Sequence, residues 1–187
     1  ASSRDDSTGG FRGILGELFK AFACLSDPVL MDSVSPPYDF SLSQLCASDQ
    51  AYQLYLMPPA EFVAAWSPVI KALLVAGMIY KSRAPGAPQQ TWVLDECAQL
   101  GAFPLVIKLF TYGAGIGIRP WAIFQSTKQI KALGPDAENI ITSSAALRSY
   151  FGVRDLETAS TLSRMLGAET LAYMDEHRRA GALHARQ

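Results

Sequence analysis

The chain has 187 residues, 49% of them apolar and 18% charged, with a formal net charge of −1. That length suits one well-buried core, or a core with a small appendage, and the composition excludes disordered and fibrous classes. The near-zero charge provides no global field for nucleic acid, so any DNA contact has to be local or supplied by another segment or subunit.

Cys24, Cys46 and Cys97 are an odd number of cysteines at wide spacing. They fit neither a zinc pattern nor a disulfide framework, and suit a reducing compartment. The longest apolar stretch, residues 69–80, carries Lys71 and reads as too short to span a bilayer. No signal peptide is recognisable. The first residue is Ala1 and not methionine, as in an excised fragment or a processed protein.

Residues 1–10 are polar and glycine-rich and read as a lead-in. Phe11, Ile14, Leu15, Leu18, Phe19, Phe22 and Leu25 then recur at three- and four-residue steps, the apolar face of an amphipathic helix. Asp27-Pro28 ends it and opens a short second helix, with proline at the first helical position. Pro36-Pro37 forces an extended turn, and residues 41–45 predict a further helical turn. Residues 52–57 predict a first strand, halted by Pro58-Pro59. A helix over 61–80 follows, interrupted or kinked at Pro68, then a proline- and glycine-bearing loop over 84–90.

Residues 92–95 predict the second strand and 103–112 a helix. Gly113, Gly115 and Gly117 make a glycine-rich connection to a third strand through Trp121, Ile123 and Phe124 to Gln125, starting after Pro120 because proline donates no ladder bond. Ser126 predicts an N-cap for a helix to Leu133, stopped by Gly134-Pro135. A short helix over 137–141 leads to a fourth strand near 147–151. Asp155 caps a last helix to Leu166, with Gly167 as its terminating glycine. Strands alternating with helices predict an α/β fold, a parallel sheet covered on both faces. The first fifty residues lack that rhythm and read as a piece of an all-α element.

Chemistry concentrates at the end of the run Thr91-Trp92-Val93-Leu94, which stops at Asp95-Glu96. Parallel sheets place their sites at the carboxyl ends of strands, where both carboxylates would lie. In sheet-based nucleotide hydrolases the first carboxylate holds Mg²⁺ through water and the second polarises the attacking water. Gln125 ends the next strand, and adjacent parallel tips converge, so its amide could reach the same water or a terminal phosphate. Gly113-x-Gly115-x-Gly117 follows a helix and precedes a strand, the reverse of a dinucleotide-binding loop, and reads as a flexible connection. Cysteine catalysis by Cys97 with His177 or His184 lacks any sign that the three converge. Arg178-Arg179 reads as surface charge, and Lys128 with Lys131 as a basic pair on a short helix.

Leu94-Asp95-Glu96-Cys97-Ala98-Gln99-Leu100-Gly101, Phe103-Pro104, Gly115-Ile116-Gly117-Ile118-Arg119-Pro120-Trp121, Phe124-Gln125-Ser126 and Phe151-Gly152-Val153-Arg154-Asp155-Leu156-Glu157-Thr158-Ala159 resemble the coupling proteins of type IV secretion systems, the inner-membrane ATPases of bacterial conjugation. The resemblance covers about residues 11–170. It implies a RecA-like P-loop NTPase sheet flanked by helices and incomplete here. Residues 1–50 would be the end of an inserted all-α domain with its return segment, 51–170 the C-terminal part of the nucleotide-binding domain, and 171–187 a charged tail. It further implies ATP and Mg²⁺ as cofactors, with Asp95 on the metal side, Glu96 as the catalytic glutamate and Gln125 as the γ-phosphate sensor. Its implied partners are single-stranded DNA with its attached relaxase, secretion-channel proteins, and further copies in a hexamer. The location implied is the cytoplasmic face of the bacterial inner membrane, held there by a membrane segment outside this sequence.

Two departures from the family pattern stand out. No G-x-x-x-x-G-K-[ST] loop is present: Gly77-Met78-Ile79-Tyr80-Lys81-Ser82 lacks the second glycine and falls in a helical pattern. Without that loop no backbone N–H cradle or lysine serves the phosphates. In the family it precedes the all-α insertion, so the chain by itself is expected to be inactive. Relatives often carry an arginine between the glycines to reach a neighbouring subunit's nucleotide. Here that place is Ala114, leaving Arg119 as the substitute candidate, with a sheet-edge salt bridge as its ordinary role. The alternatives are a non-catalytic docking module that kept the fold, and a small-ligand binder using the same strand tips. A nucleotide domain without its other half would expose surface and favour self-association.

Overall fold

A computed structural model of the chain describes residues 6–167. It divides into two compact units, residues 1–148 and 149–187.

In the first unit, the amphipathic pattern forms α1 (Asp6–Phe22), followed by a 3-10 turn over Ala23–Ser26. Phe11, Ile14, Leu18, Phe19 and Phe22 remain exposed, so the apolar face of α1 is uncovered among the described residues. Asp27 starts α2 (Pro28–Ser33) by accepting from the backbone N–H of Val29 and Leu30, with Pro28 at the start as expected. Its other carboxylate oxygen accepts from the Trp66 indole at 3.0 Å, a bond across 39 residues that ties this helix pair to the next. The indole donor is the main reason the Asp27 carboxyl sits below its ordinary value. Cys24, Leu30 and Trp66 form a small buried cluster there. Ser41 and Gln44 make a reciprocal capping box on the 3-10 turn Leu42–Cys46.

A 3-10 turn over Ala60–Phe62 opens into α3 (Val63–Arg83), which runs unbroken through Pro68. Ala60–Arg83 is long and apolar enough to cross a membrane by length and composition, more than the shorter apolar run suggested. In this fold one side of it packs on the core through Ile70, Leu74 and Met78. The Trp92 ring lies over Gly77, 3.4 Å from where a Cβ would stand, an ordinary contact.

The sheet consists of β1 (Gln90–Asp95) and β2 (Ile118–Ile123), parallel, in a register that pairs Gln90 with Ile118 and Asp95 with Ile123. Between them the chain crosses over through α4 (Pro104–Tyr112), whose Leu105, Val106 and Leu109 are buried. α5 (Thr127–Lys131) and α6 (Ala137–Ser144) follow β2, and Leu133, Ala137 and Ile141 complete the core with Leu94, Cys97, Leu100, Phe103 and Ile118. The chain is therefore mixed helix and sheet with a parallel strand pair.

Three expectations are corrected. Residues 52–57 and 147–151 form no strand. Leu54, Tyr55, Leu56, Met57, Leu147 and Phe151 are exposed, and an apolar run makes no strand without a neighbour to pair with. β2 includes Pro120, because the outer edge of the strand is unpaired and a missing N–H is tolerated there. The sheet is covered on one face only among the described residues: Gln90, Trp92, Leu94, Ile118, Pro120 and Ala122 are buried or half-buried, whereas Thr91, Val93, Asp95, Arg119, Trp121 and Ile123 are exposed. Parallel sheets are ordinarily covered on both faces.

In the second unit, α7 (Leu156–Leu166) begins at Asp155, whose carboxylate accepts from the Thr158 N–H at 2.7 Å, and ends at Gly167 with φ 76°. His177, His184 and Arg178-Arg179 lie outside the described residues.

Candidate functional site at the strand tips

The site grows from a turn. Asp95 is the last residue of β1, and Glu96 leaves the strand with φ 49° and ψ 28°, a left-handed conformation that a non-glycine residue adopts at a cost of about 1–3 kcal/mol. The twist feeds the chain into a 3-10 turn over Cys97–Leu100, held down by the burial of Cys97 and Leu100. Those two anchors fold Gln99 back over Glu96: its N–H donates to the Glu96 carbonyl at 2.9 Å, and its side-chain amide donates to Glu96 Oε2.

From the neighbouring tip, Gln125 Nε2 donates to Glu96 Oε1 at 2.5 Å. The backbone N–H of Gln125 is itself held by Gln129 Oε1 at 2.7 Å. Ser126 does occupy the N-cap of α5, but its hydroxyl makes no capping bond; Gln129 reaches back instead. Each oxygen of the half-buried Glu96 thus accepts one amide, from two different segments.

Asp95 stands beside this pair, exposed, with no hydrogen bond or ion pair on its carboxylate among the described residues. Mg²⁺ takes one or two protein carboxylates and fills its remaining positions with water and phosphate oxygens, so a free tip carboxylate fits it. No group of three or more His, Cys, Asp or Glu that could cage an ion occurs among the described residues. Arg119 pairs in register with Thr91, four rungs before the Asp95 rung. That puts it roughly 20 Å along the strand from Gln125, outside the cluster within one chain. No salt bridge engages it among the described residues.

The lysine of the loop-like stretch is also placed. Lys81 is fully buried in the last turn of α3, donating to the carbonyls of Ala87 at 2.8 Å and Ala84 at 3.4 Å. It packs against Gly117, at the amino-terminal end of the sheet and not at the tips. Of the three glycines, Gly113 lies within 2.9 Å of the Ile118 carbonyl at a hypothetical Cβ, and Gly117 has φ 78°. The glycines do connect α4 to β2, but the connection expected to be flexible is a 3-10 turn, Gly113–Ile116, capped by Gly117 and closely packed at Gly113 and Gly117. Burial pushes the Cys97 thiol up to about 11, so it is a core residue and no nucleophile at neutral pH.

Asp95-Glu96 and Gln125 stand out in the sequence because they close apolar runs; Gln99 and Gln129 do not. Their only sequence signal is an amide three or four residues after a tip residue, the spacing at which a tight turn brings a side chain back.

A family model described as the TraM recognition site of TraD and TraG matches residues 90–187, more than half of the chain. The chain belongs to this TraG/TraD family. Two relatives, both conjugal transfer protein TraG of Escherichia coli, are 28% and 27% identical to it over 161 residues, which is 80% of this chain and 25% of each relative. The chain spans about a quarter of the length of these curated relatives. No solved structure matches it. The family match begins at Gln90, the first residue of β1, so the strand tips lie inside it together with residues 168–187 beyond the described region. The resemblance to coupling proteins of conjugation, read from the motifs around Asp95 and Gln125, is borne out by this membership.

Proposed function

We propose that this chain supplies the hydrolytic side of the nucleotide site in a conjugation coupling ATPase with a RecA-like core. The observation that carries the reading is the bond between Glu96 and Gln125, on the tips of adjacent parallel strands. On this reading Asp95 holds the metal side, Glu96 Oε1 accepts a proton from the attacking water, and the Gln125 amide donates to the terminal phosphate. Bound Mg²⁺ with ATP contributes charge neutralisation on the phosphate oxygens. Gln125 and that water compete for the same oxygen of Glu96, so engagement of Gln125 elsewhere leaves the carboxylate free to act as base. The phosphate-binding loop and lysine have to come from outside these residues.

The wider role follows the family resemblance: a hexameric ring on the cytoplasmic face of the bacterial inner membrane, moving single-stranded DNA and its relaxase toward secretion-channel proteins. Arg119 is retained in this reading only as a candidate to reach a neighbouring subunit. ATP turnover by the full-length gene product tests it. Glu96→Gln is expected to abolish turnover and leave ATP binding intact; undiminished turnover would refute the assignment.

A second reading is favoured by the family description itself, which names TraM recognition by TraD and TraG. On it, residues 90–187 dock a TraM-like relaxosome protein without regard to nucleotide. Binding of such a protein unchanged by ATP, Mg²⁺ or Asp95→Asn would support docking, and loss of binding with Asp95→Asn would count against it.

A further inference from the structure

We propose that Gln99 is a positioning residue for Glu96, an inference that rests on the nucleotide-site reading above. The two amides on Glu96 are not equivalent. Gln125 arrives from another strand and is the one that a phosphate or water can draw away. Gln99 lies in the same turn as Glu96, bonded to it through both backbone and side chain, with Cys97 and Leu100 buried on either side of it. A group that draws Gln125 away need not disturb that turn.

Glu96 needs such a holder. Its left-handed backbone is imposed by the turn and gives the side chain no strand neighbour to lean on. When Gln125 leaves, Oε1 is free to take a proton only if the carboxylate keeps its orientation, and the Gln99 amide on Oε2 fixes it. A carboxylate oriented through one oxygen can present the other to the proton it takes. Gln99 is itself exposed, so its side chain contributes little to the core. Its role lies in the direction it gives Glu96.

Two measurements test this. In the 187-residue chain, with glutamine side-chain nitrogens labelled, Glu96→Ala is expected to shift the Nε2–H signals of both Gln99 and Gln125. An unmoved Gln99 signal would overturn the contact, whatever the protein's activity. In the full-length gene product, Gln99→Leu is expected to lower kcat roughly 10- to 100-fold with KM for ATP within about twofold. Gln99→Glu, which keeps the shape but replaces the donor by a like charge, is expected to lower kcat at least as far. Melting temperatures of both variants close to wild type would separate misorientation from unfolding. If Glu96→Gln stops turnover but Gln99→Leu leaves kcat unchanged, the positioning role fails and the nucleotide reading stands. If Glu96→Gln leaves turnover intact, both fall.

Discussion

Gln125 donates its side-chain amide to Glu96 across 29 residues of chain, at 2.5 Å. The parallel register makes this possible. With Asp95 opposite Ile123 on the last rung, Glu96 is the first residue beyond β1 and Gln125 the second beyond β2, and their side chains meet there. The first consequence concerns Gln125→Leu. Gln125 is exposed, so stability is expected to change by no more than about 0.5 kcal/mol in urea unfolding of this chain. Turnover in the full-length gene product is expected to fall roughly 100-fold, the effect of losing one preorganised donor.

The glycine connection divides into two positions that need glycine and one that does not. Gly117 has φ 78° and would bring a Cβ to 2.9 Å from Lys81 Nζ; Gly113 would bring one to 2.9 Å from the Ile118 carbonyl. Gly115 meets nothing within 4 Å. Alanine at 117 or 113 is expected to cost about 1–3 kcal/mol in chemical denaturation. Alanine at 115 is expected to be neutral or mildly stabilising.

Cysteine reactivity is expected to follow burial. With its thiol pushed up to about 11, Cys97 holds only roughly one thiolate in a thousand at pH 8. Cys46 is half-buried, whereas Cys24 is buried. Iodoacetamide followed by peptide mass analysis is expected to label Cys46 first in the folded chain. Equal labelling of Cys97 would mean that the turn after Glu96 opens readily.

The Asp27–Trp66 bond carries a pH dependence whose sign can be worked out. The Asp27 carboxyl is held below its ordinary 3.8, chiefly by the indole donor. A lowered folded value stabilises the fold above 3.8, and that contribution is lost as pH falls through the folded value. Trp66→Phe is therefore expected to lower the melting temperature more at neutral pH than in acid well below 3.8. The part due to lost ring packing against Phe62, stacked at 5.0 Å, is expected to persist at both.

Helices were readable wherever a capping residue marked the start of a periodic run, as at Asp27 and Asp155. Strands were less so, because pairing is not written locally. Residues 52–57 are an apolar run halted by Pro58-Pro59, yet among the described residues no strand pairs with them. At the tips, Asp95, Glu96 and Gln125 could be marked because charge or amide ending an apolar run is conspicuous. The part played by Gln99 could not. It depends on the left-handed turn at Glu96, and no residue type announces that turn, since glutamate is not a residue expected there. The Lys81 environment was equally hidden: only the folded chain brings the loop carbonyls of Ala84 and Ala87 over its ammonium.

That enclosed ammonium makes the chain its own folding reporter. Lys81 is fully buried, while Lys108, Lys128 and Lys131 are exposed. An acylating reagent can modify the others at leisure but reaches Lys81 only when its cover, the loop at Ala84 and Ala87 with Gly117, moves aside. The rate at which that one amine is tagged is thus a clock for the opening of that cover, readable in a mixture without purification or an optical probe.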